Sequence, residues 1–426
     1  MDTEPAQAAT TSEPAKRLKI QWAGPGVIMA VSGIGASDMI AATVGGAIHG
    51  TSLLWALALG TLFKFVLTEG LARWQLATDK TILEGWSRHL PRWVLVIFFC
   101  YLVLWAVAVS GALISGCGLA VENITGGAVP FVWGALAHAV VAFVFIYTAH
   151  AGRFSAVMKP LIAIMFLSVV VCAALTFREP SAVFRGLLIP MIPSGGGLYV
   201  LSLIGGIGGS VTLLSYSYLL REDGHTHPAN LGRVRIDLMI AYLFTAIFGL
   251  SIMTIASRVF HGAGIAITDR EAVSRMAGQL AEITGPVGFY VYSLGFWAAV
   301  VASLMGVWQT VPHIFADCWS SLDRRTQKQN GFARAPRARA YSAALVFMAT
   351  AAVPFAFMQR PLMFVVAFTI LGSLFIPFLA ATLLYLNNQV SWPSTISHNR
   401  PGANSILIFV LFLFLIVAAW EMASLF

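Results

Sequence analysis

Two stretches decide the fold: GPGVIMAVSGIGASDMIAATVGGA (Gly24 to Ala47) and GGLYVLSLIGGIGGSVTLLSYSYLL (Gly196 to Leu220). Each is long enough to cross a bilayer, which takes about 20 apolar residues in a helix. Each also carries glycine and serine where a spanning helix should be most regular. A break in hydrocarbon frees N–H and C=O groups, tolerable only where they line a protein cavity or hold a ligand. Breaks at corresponding positions in two halves of a chain point to a transporter's binding site. The first break also holds Asp38, a carboxylate near mid-membrane depth.

Working outward, the 426 residues are 58% hydrophobic and 10% charged, with mean hydropathy +0.81. Soluble domains carry about 25% charged residues, so a water-soluble protein is excluded. Apolar runs of spanning length lie near 24–47, 52–75, 93–119, 130–149, 156–177, 196–220, 236–257, 286–311, 340–358, 361–388 and 404–424. They are uniformly apolar, not alternating, which selects helices over barrel strands. The breaks fall in spans 1 and 6, which fits a five-plus-five inverted repeat with an eleventh helix appended. The expected boundaries are a disordered tail over 1–20 and one transmembrane domain over 21–426. Within that domain the first repeat covers about 22–178, the second about 196–388 and the extra helix about 404–424.

The net charge of +8 reads as topology rather than nucleic-acid affinity. With the N-terminus inside, 19 Lys and Arg fall on the cytoplasmic side, 6 on the other, and Lys64 within the membrane. The expected arrangement is an N-terminus in the cytoplasm and an external C-terminus, in a bacterial inner membrane. The polar start (residues 1–15) lacks the apolar core of a cleavable signal. The basic loop Ser320 to Ala340 is expected against anionic headgroups, and Val259 to Gly285 is expected to carry a short surface helix. The four cysteines have no metal-site spacing and read as small core hydrophobes. The glycine runs are not nucleotide loops, which need a preceding strand. Trp74, Trp86 and Trp93 are expected as interfacial anchors.

Several motifs carry a family resemblance. Gly24-Pro25-Gly26 opens span 1, Leu53 to Trp55 opens span 2, and the run from Leu71 to Lys80, through Arg73 and Asp79, closes it. Arg235-Ile-Asp237 opens span 7, and Gly306 to Thr310 with Phe315 to Asp317 closes span 8. Together these resemble the Nramp family of proton-coupled divalent-metal transporters over most of the chain. The resemblance implies an all-α, LeuT-type fold of the APC superfamily, ion-coupled symport and a cation as substrate, with no cofactor and no enzyme activity. The strongest family motif is absent. Where that family carries Asp-Pro-Gly-Asn, this chain has Gly35, Ala36, Ser37 and Asp38. Where it carries a metal-binding Met followed by Pro and His, this chain has Gly209, Ser210 and Val211. The acidic residues of span 3 are missing between Val94 and Val121, and the glutamine of span 10 is replaced near Phe375.

What remains at the breaks is oxygen chemistry. Asp38, Ser37, Ser210 and Thr212, with carbonyls near Gly35, Gly206 and Gly209, form the candidate substrate site, and Asp38 is the candidate metal ligand. Losing the thioether removes the soft ligand and favours a hard, hydrated cation. A polar organic solute fits equally, its carboxylate at a half-helix N-terminus and its cation on Asp38. The glycines of the second break read as room for something larger than a bare ion. For Asp38 the competing structural role is capping the second half-helix.

Lys64, Glu69, His138, Asp237 and Asp317 are the coupling or gating candidates. Lys64 either snorkels or pairs with a carboxylate such as Asp38 or Asp317. Glu69 is read chiefly as the partner of Arg73 at i+4. His138, a titratable group in the membrane, is read chiefly as a core histidine bonded to a carbonyl, as is His313. Asp237 and Asp317 are read as gate charges or solvated helix-end charges. Three functions therefore stand: a divalent-cation transporter, a transporter of a small polar organic solute, and a non-transporting membrane sensor. A membrane enzyme ranks last, because no nucleophile–base pair stands out.

Overall fold

A computed structural model describes residues 25–33, 35–148, 151–224, 227–261, 272–322, 334–358, 360–389 and 398–423. The expected tail and most of the basic loop lie outside them. The described residues are helical. Span 1 is two pieces, α1 (Pro25–Gly33) and α2 (Ala36–His49). Span 2 is α3 (Leu54–Thr78), followed by the short α4 (Ile82–His89). Spans 3 to 5 are α5 (Arg92–Ile124), α6 (Phe131–Thr148) and α7 (Ala151–Thr176), followed by a short α8 (Pro180–Leu188). Span 6 is again two pieces, α9 (Gly197–Gly206) and α10 (Tyr216–Glu222), joined through a 3-10 turn at Val211–Ser215. Span 7 is α11 (Leu231–Phe260). The surface helix α12 (Ala272–Thr284) and span 8, α13 (Pro286–Leu322), come next. Spans 9 to 11 are α14 (Arg334–Met358), α15 (Pro361–Asn387) and α16 (Pro401–Ala423).

Among the described residues, eight of these helices, and span 6 taken whole over Gly197–Glu222, are long and apolar enough to cross a membrane. The two pieces of span 1 are each shorter than that, and the last span retains an apolar run over Pro401–Val417. The apolar runs read from the sequence are thus all present as helices. The broken spans sit at the centre, packed against α3, α11, α13 and α15, whereas α14 and α16 lie outside. The expected surface helix is α12, which buries Val273, Met276, Ala277 and Leu280.

Two expectations fail here. Trp74 and Trp86 are core residues, not interfacial anchors: the Trp74 indole donates to the Thr81 carbonyl at 3.2 Å and Trp86 packs edge-on against Phe98 and Phe378. Trp93 alone of the three is exposed. Cys117, Cys172 and Cys318 are buried as expected, but Cys100 faces outward. α4 folds back so that Gly85 lies against the Trp74 ring and Trp86 turns into the core.

The glycines of the second break leave no open space. The breaks of spans 1 and 6 meet backbone to backbone: a Cβ on Gly33 would lie 2.6 Å from the Gly209 Cα and nitrogen. Gly205 faces Ser373 of α15 and Gly35 faces Ser303 of α13 just as closely, while a Cβ on Gly206 would lie 3.2 Å from Thr369 of α15. The glycines are there for close approach. Gly33→Ala is therefore expected to destabilise the protein by about 1–3 kcal/mol, the usual cost of overpacking. Gly232→Ala, with nothing within 4 Å of its Cβ, is expected to leave the melting temperature unchanged or raise it. Thermal unfolding of the two variants in detergent checks the contrast.

Candidate functional site

The first half-site is built on the N-terminus of α2. Gly35 is extended (φ −142°, ψ −155°) and ends the break. Asp38 sits in the first turn beyond it, where a negative charge complements the helix dipole. The Gly35 N–H donates to Asp38 Oδ2 at 3.2 Å, so the capping role is real. The backbone amide of Gly208, on the other break, also interacts with the carboxylate. The other oxygen, Oδ1, is buried and has no hydrogen-bond partner, although the residue is only 1% exposed. Capping thus uses one oxygen of the carboxylate and leaves the other unpartnered. Ser37 lies beside it in α2, with its side chain outside the described residues.

The second half-site is the end of α9. The helix stops at Gly206, and Gly208 (φ +75°) and Gly209 (φ +91°) take the left-handed conformation that glycine adopts without strain. This turn frees three carbonyls, and all three are occupied by one side chain. Lys64 Nζ, from the middle of α3, donates to the carbonyl oxygens of Gly205 at 3.0 Å, Ile207 at 2.8 Å and Gly209. An ammonium has three donors, so the three carbonyls satisfy its charged form. Lys64 does not snorkel and is fully buried. Its charge and that of Asp38 attract each other, but the Lys64 bonds go to the carbonyls, and Asp317 is engaged elsewhere. Across the break, Ser210 Oγ and Thr212 Oγ1 are also buried without partners. Gly206, at the end of α9, contributes close packing against Thr369.

The remaining candidates hold helices together. Asp237 Oδ2 accepts from the Gly26 N–H at 2.7 Å and the Tyr216 hydroxyl at 3.0 Å, tying the start of α1 to α10 and α11. Asp317 Oδ2 accepts from Thr81 Oγ1 at 2.5 Å and the Tyr218 hydroxyl at 2.8 Å. Neither is a simple solvated end charge: Asp317 is buried and Asp237 half-buried. Glu69 pairs with Arg73 at 2.7 Å, as its spacing indicates, and also with Arg235 of α11 at 2.8 Å. His138 bonds the Gly134 carbonyl through Nδ1 at 2.8 Å and accepts from the Trp297 indole at 3.0 Å, a core histidine joining spans 4 and 8. His313 stacks on Tyr218 and lies 4.0 Å from Glu222.

Span 10 was missed as part of the site. Thr369 and Ser373 face the glycines of α9, and Gly372 lies against Ser210 and the Trp105 indole nitrogen. Their only sequence signal is a cluster of small polar residues in an otherwise apolar run. Among the described residues, no group of three His, Cys, Asp or Glu side chains is arranged to hold a metal.

The comparisons agree with this architecture. The family described as Natural resistance-associated macrophage protein-like (Nramp) matches residues 26–424. The chain belongs to the Nramp family. The divalent metal cation transporter MntH of Pectobacterium carotovorum is a relative at 24% identity over 313 residues, covering 70% of this chain and 73% of the relative. MntH of Chromohalobacter salexigens is 26% identical over 321 residues, covering 70% and 72%. The solved manganese transporter of Eremococcus coleocola superposes with a TM-score of 0.74 at 14% identity, covering 95% of this chain and 86% of that one. The LeuT-type fold of an Nramp integral membrane protein is therefore established.

Proposed function

We propose that this Nramp protein is a secondary-active transporter working by alternating access, with its cargo held between the breaks of spans 1 and 6. The cargo is a divalent cation, carried with part of its water. The relatives are named as divalent-metal transporters, and the oxygen donors here suit a hard ion. The observation that carries the reading is Asp38 Oδ1: a buried carboxylate oxygen without a partner, matched across the break by the unpartnered hydroxyls of Ser210 and Thr212. Buried polar atoms of this kind are normally satisfied, so three at one junction call for a ligand. The close contact of Gly33 with Gly209 further favours a small ion over a bulky solute. Asp237, Asp317 and Glu69 then close the end that the charge pattern assigns to the cytoplasm, consistent with an inner-membrane protein whose N-terminus is inside.

One observation favours a second reading. The Lys64 ammonium lies beside the site and balances Asp38, leaving the pair neutral. The pair then offers a divalent ion no net negative charge to offset the loss of its water. A neutral or zwitterionic organic solute escapes that penalty.

Uptake into proteoliposomes decides between them. Saturable flux of Mn²⁺ or Mg²⁺ is expected, with no flux of amino acids or amines. Flux of an organic solute without metal flux would replace the first reading with the second. Absence of any flux would point to a sensor that keeps the fold.

A further inference from the structure

The contacts of Lys64 go beyond balancing Asp38. A lysine that caps a helix ordinarily does so from the last turn, with its ammonium in water. Lys64 instead reaches from the middle of α3 to a helix end about 140 residues away in sequence, deep in the protein. Its nitrogen occupies the point on which the carbonyls of Gly205, Ile207 and Gly209 converge. Converging carbonyls of unwound backbone form the sites at which broken-helix transporters and channels coordinate monovalent ions. Here the cation is covalently attached.

We propose that the three carbonyls form a monovalent-cation site and that the Lys64 ammonium is its permanent, tethered occupant, so that the broken span 6 assembles without free Na⁺ or K⁺. The inference concerns the scaffold of the site, and it holds whether the cargo is a metal or an organic solute. It also gives Lys64 a reason to sit beside a cargo site: the break of span 6 needs a positive charge whenever Gly208 and Gly209 turn three carbonyls toward one point. A bound ion would supply that charge only at sufficient concentration, whereas the side chain supplies it always.

Thermal unfolding in detergent tests this without any cargo, so failure of the transport reading and failure of this one are separable. The wild-type protein is expected to melt at the same temperature in NaCl, KCl and choline chloride. In Lys64→Ala the ammonium and most of its stem are gone, leaving the carbonyls unpaired and a space that methylammonium or a hydrated ion can enter. This variant is expected to melt several degrees lower in choline chloride and to recover when choline is replaced by Na⁺, K⁺ or methylammonium. Lys64→Gln, whose amide offers two donors in place of three, is expected to lose less and to recover in the same salts. A wild-type protein that needs Na⁺ or K⁺ would overturn the proposal. So would a Lys64→Ala variant as stable in choline as the wild type, or variants that no monovalent cation stabilises over choline. Should neither variant purify, the wild-type salt series decides alone.

Discussion

Asp38→Asn is expected to abolish cargo binding while leaving the protein folded. The amide oxygen of asparagine can still accept from the Gly35 N–H. The cap therefore survives and Lys64 keeps its three carbonyl partners, so the protein stays folded although it melts lower than the wild type. What disappears is the charge on the unpartnered oxygen, Oδ1. Truncating one member of a buried charge pair costs about 2–5 kcal/mol, which at 1.4 kcal/mol per decade is roughly 30- to 4,000-fold in affinity. The loss should lie at the upper end, because the Lys64 ammonium then stands beside the cargo with no anion to balance it. Asp38→Ala should lose binding equally and the cap as well, with a still lower melting temperature. Cargo titration by calorimetry on both variants, beside their unfolding curves, separates the two roles. Cation flux that survives Asp38→Asn would remove Asp38 from the site.

The two breaks depend on each other for physical reasons. Span 1 presents a helix N-terminus with a carboxylate, and span 6 presents a helix C-terminus with an ammonium. Each charge complements the dipole of the helix end it serves. Because Gly33 and Gly209 touch, neither break can widen without moving the other. Alternating access, in which one bundle rocks against the rest, would have to separate or carry along this contact. At the other end, Asp237 of α11 accepts from the Gly26 N–H of α1 and Asp317 of α13 accepts from Thr81 before α4, tying those elements together.

The architecture could be read from the sequence because its signals are local. Apolar run length marks a span, and Gly33, Gly35 and the run Gly205 to Gly209 mark the breaks directly. Asp38 was found because a carboxylate at that depth stands out alone. The partners of Lys64 were hidden for the opposite reason. They are backbone carbonyls 141 to 145 residues downstream, and a carbonyl has no residue type to recognise. Charge pairing was therefore sought among carboxylates, and the right neighbour, Asp38, was found without the main contacts. The glycines were misread as space because composition cannot distinguish a cavity from two backbones in contact. Glu69 was only half legible: Arg73 is four residues away on the same helix, while Arg235 comes from another helix.

That second arginine makes Glu69 a charge shared by two helices, α3 and α11. Its two oxygens are divided between Arg73 and Arg235, at 2.7 and 2.8 Å. Arg73 passes the link on to the His398 carbonyl and Asn399 Oδ1, both at 2.6 Å, so spans 2 and 7 and the segment before span 11 meet at one carboxylate. Arg73 is 2% exposed and cannot turn to water. Glu69→Ala is accordingly expected to cost about 3–5 kcal/mol, the penalty for stranding a buried partner charge. The double variant Glu69→Met with Arg73→Met should regain much of that loss, because both buried charges leave together and Arg235, which is partly exposed, can be hydrated. Unfolding curves of the single and double variants measure the coupling directly. Equal melting temperatures for Glu69→Ala and the wild type would mean that the pair contributes nothing and that the residues 398–399 are held by other contacts.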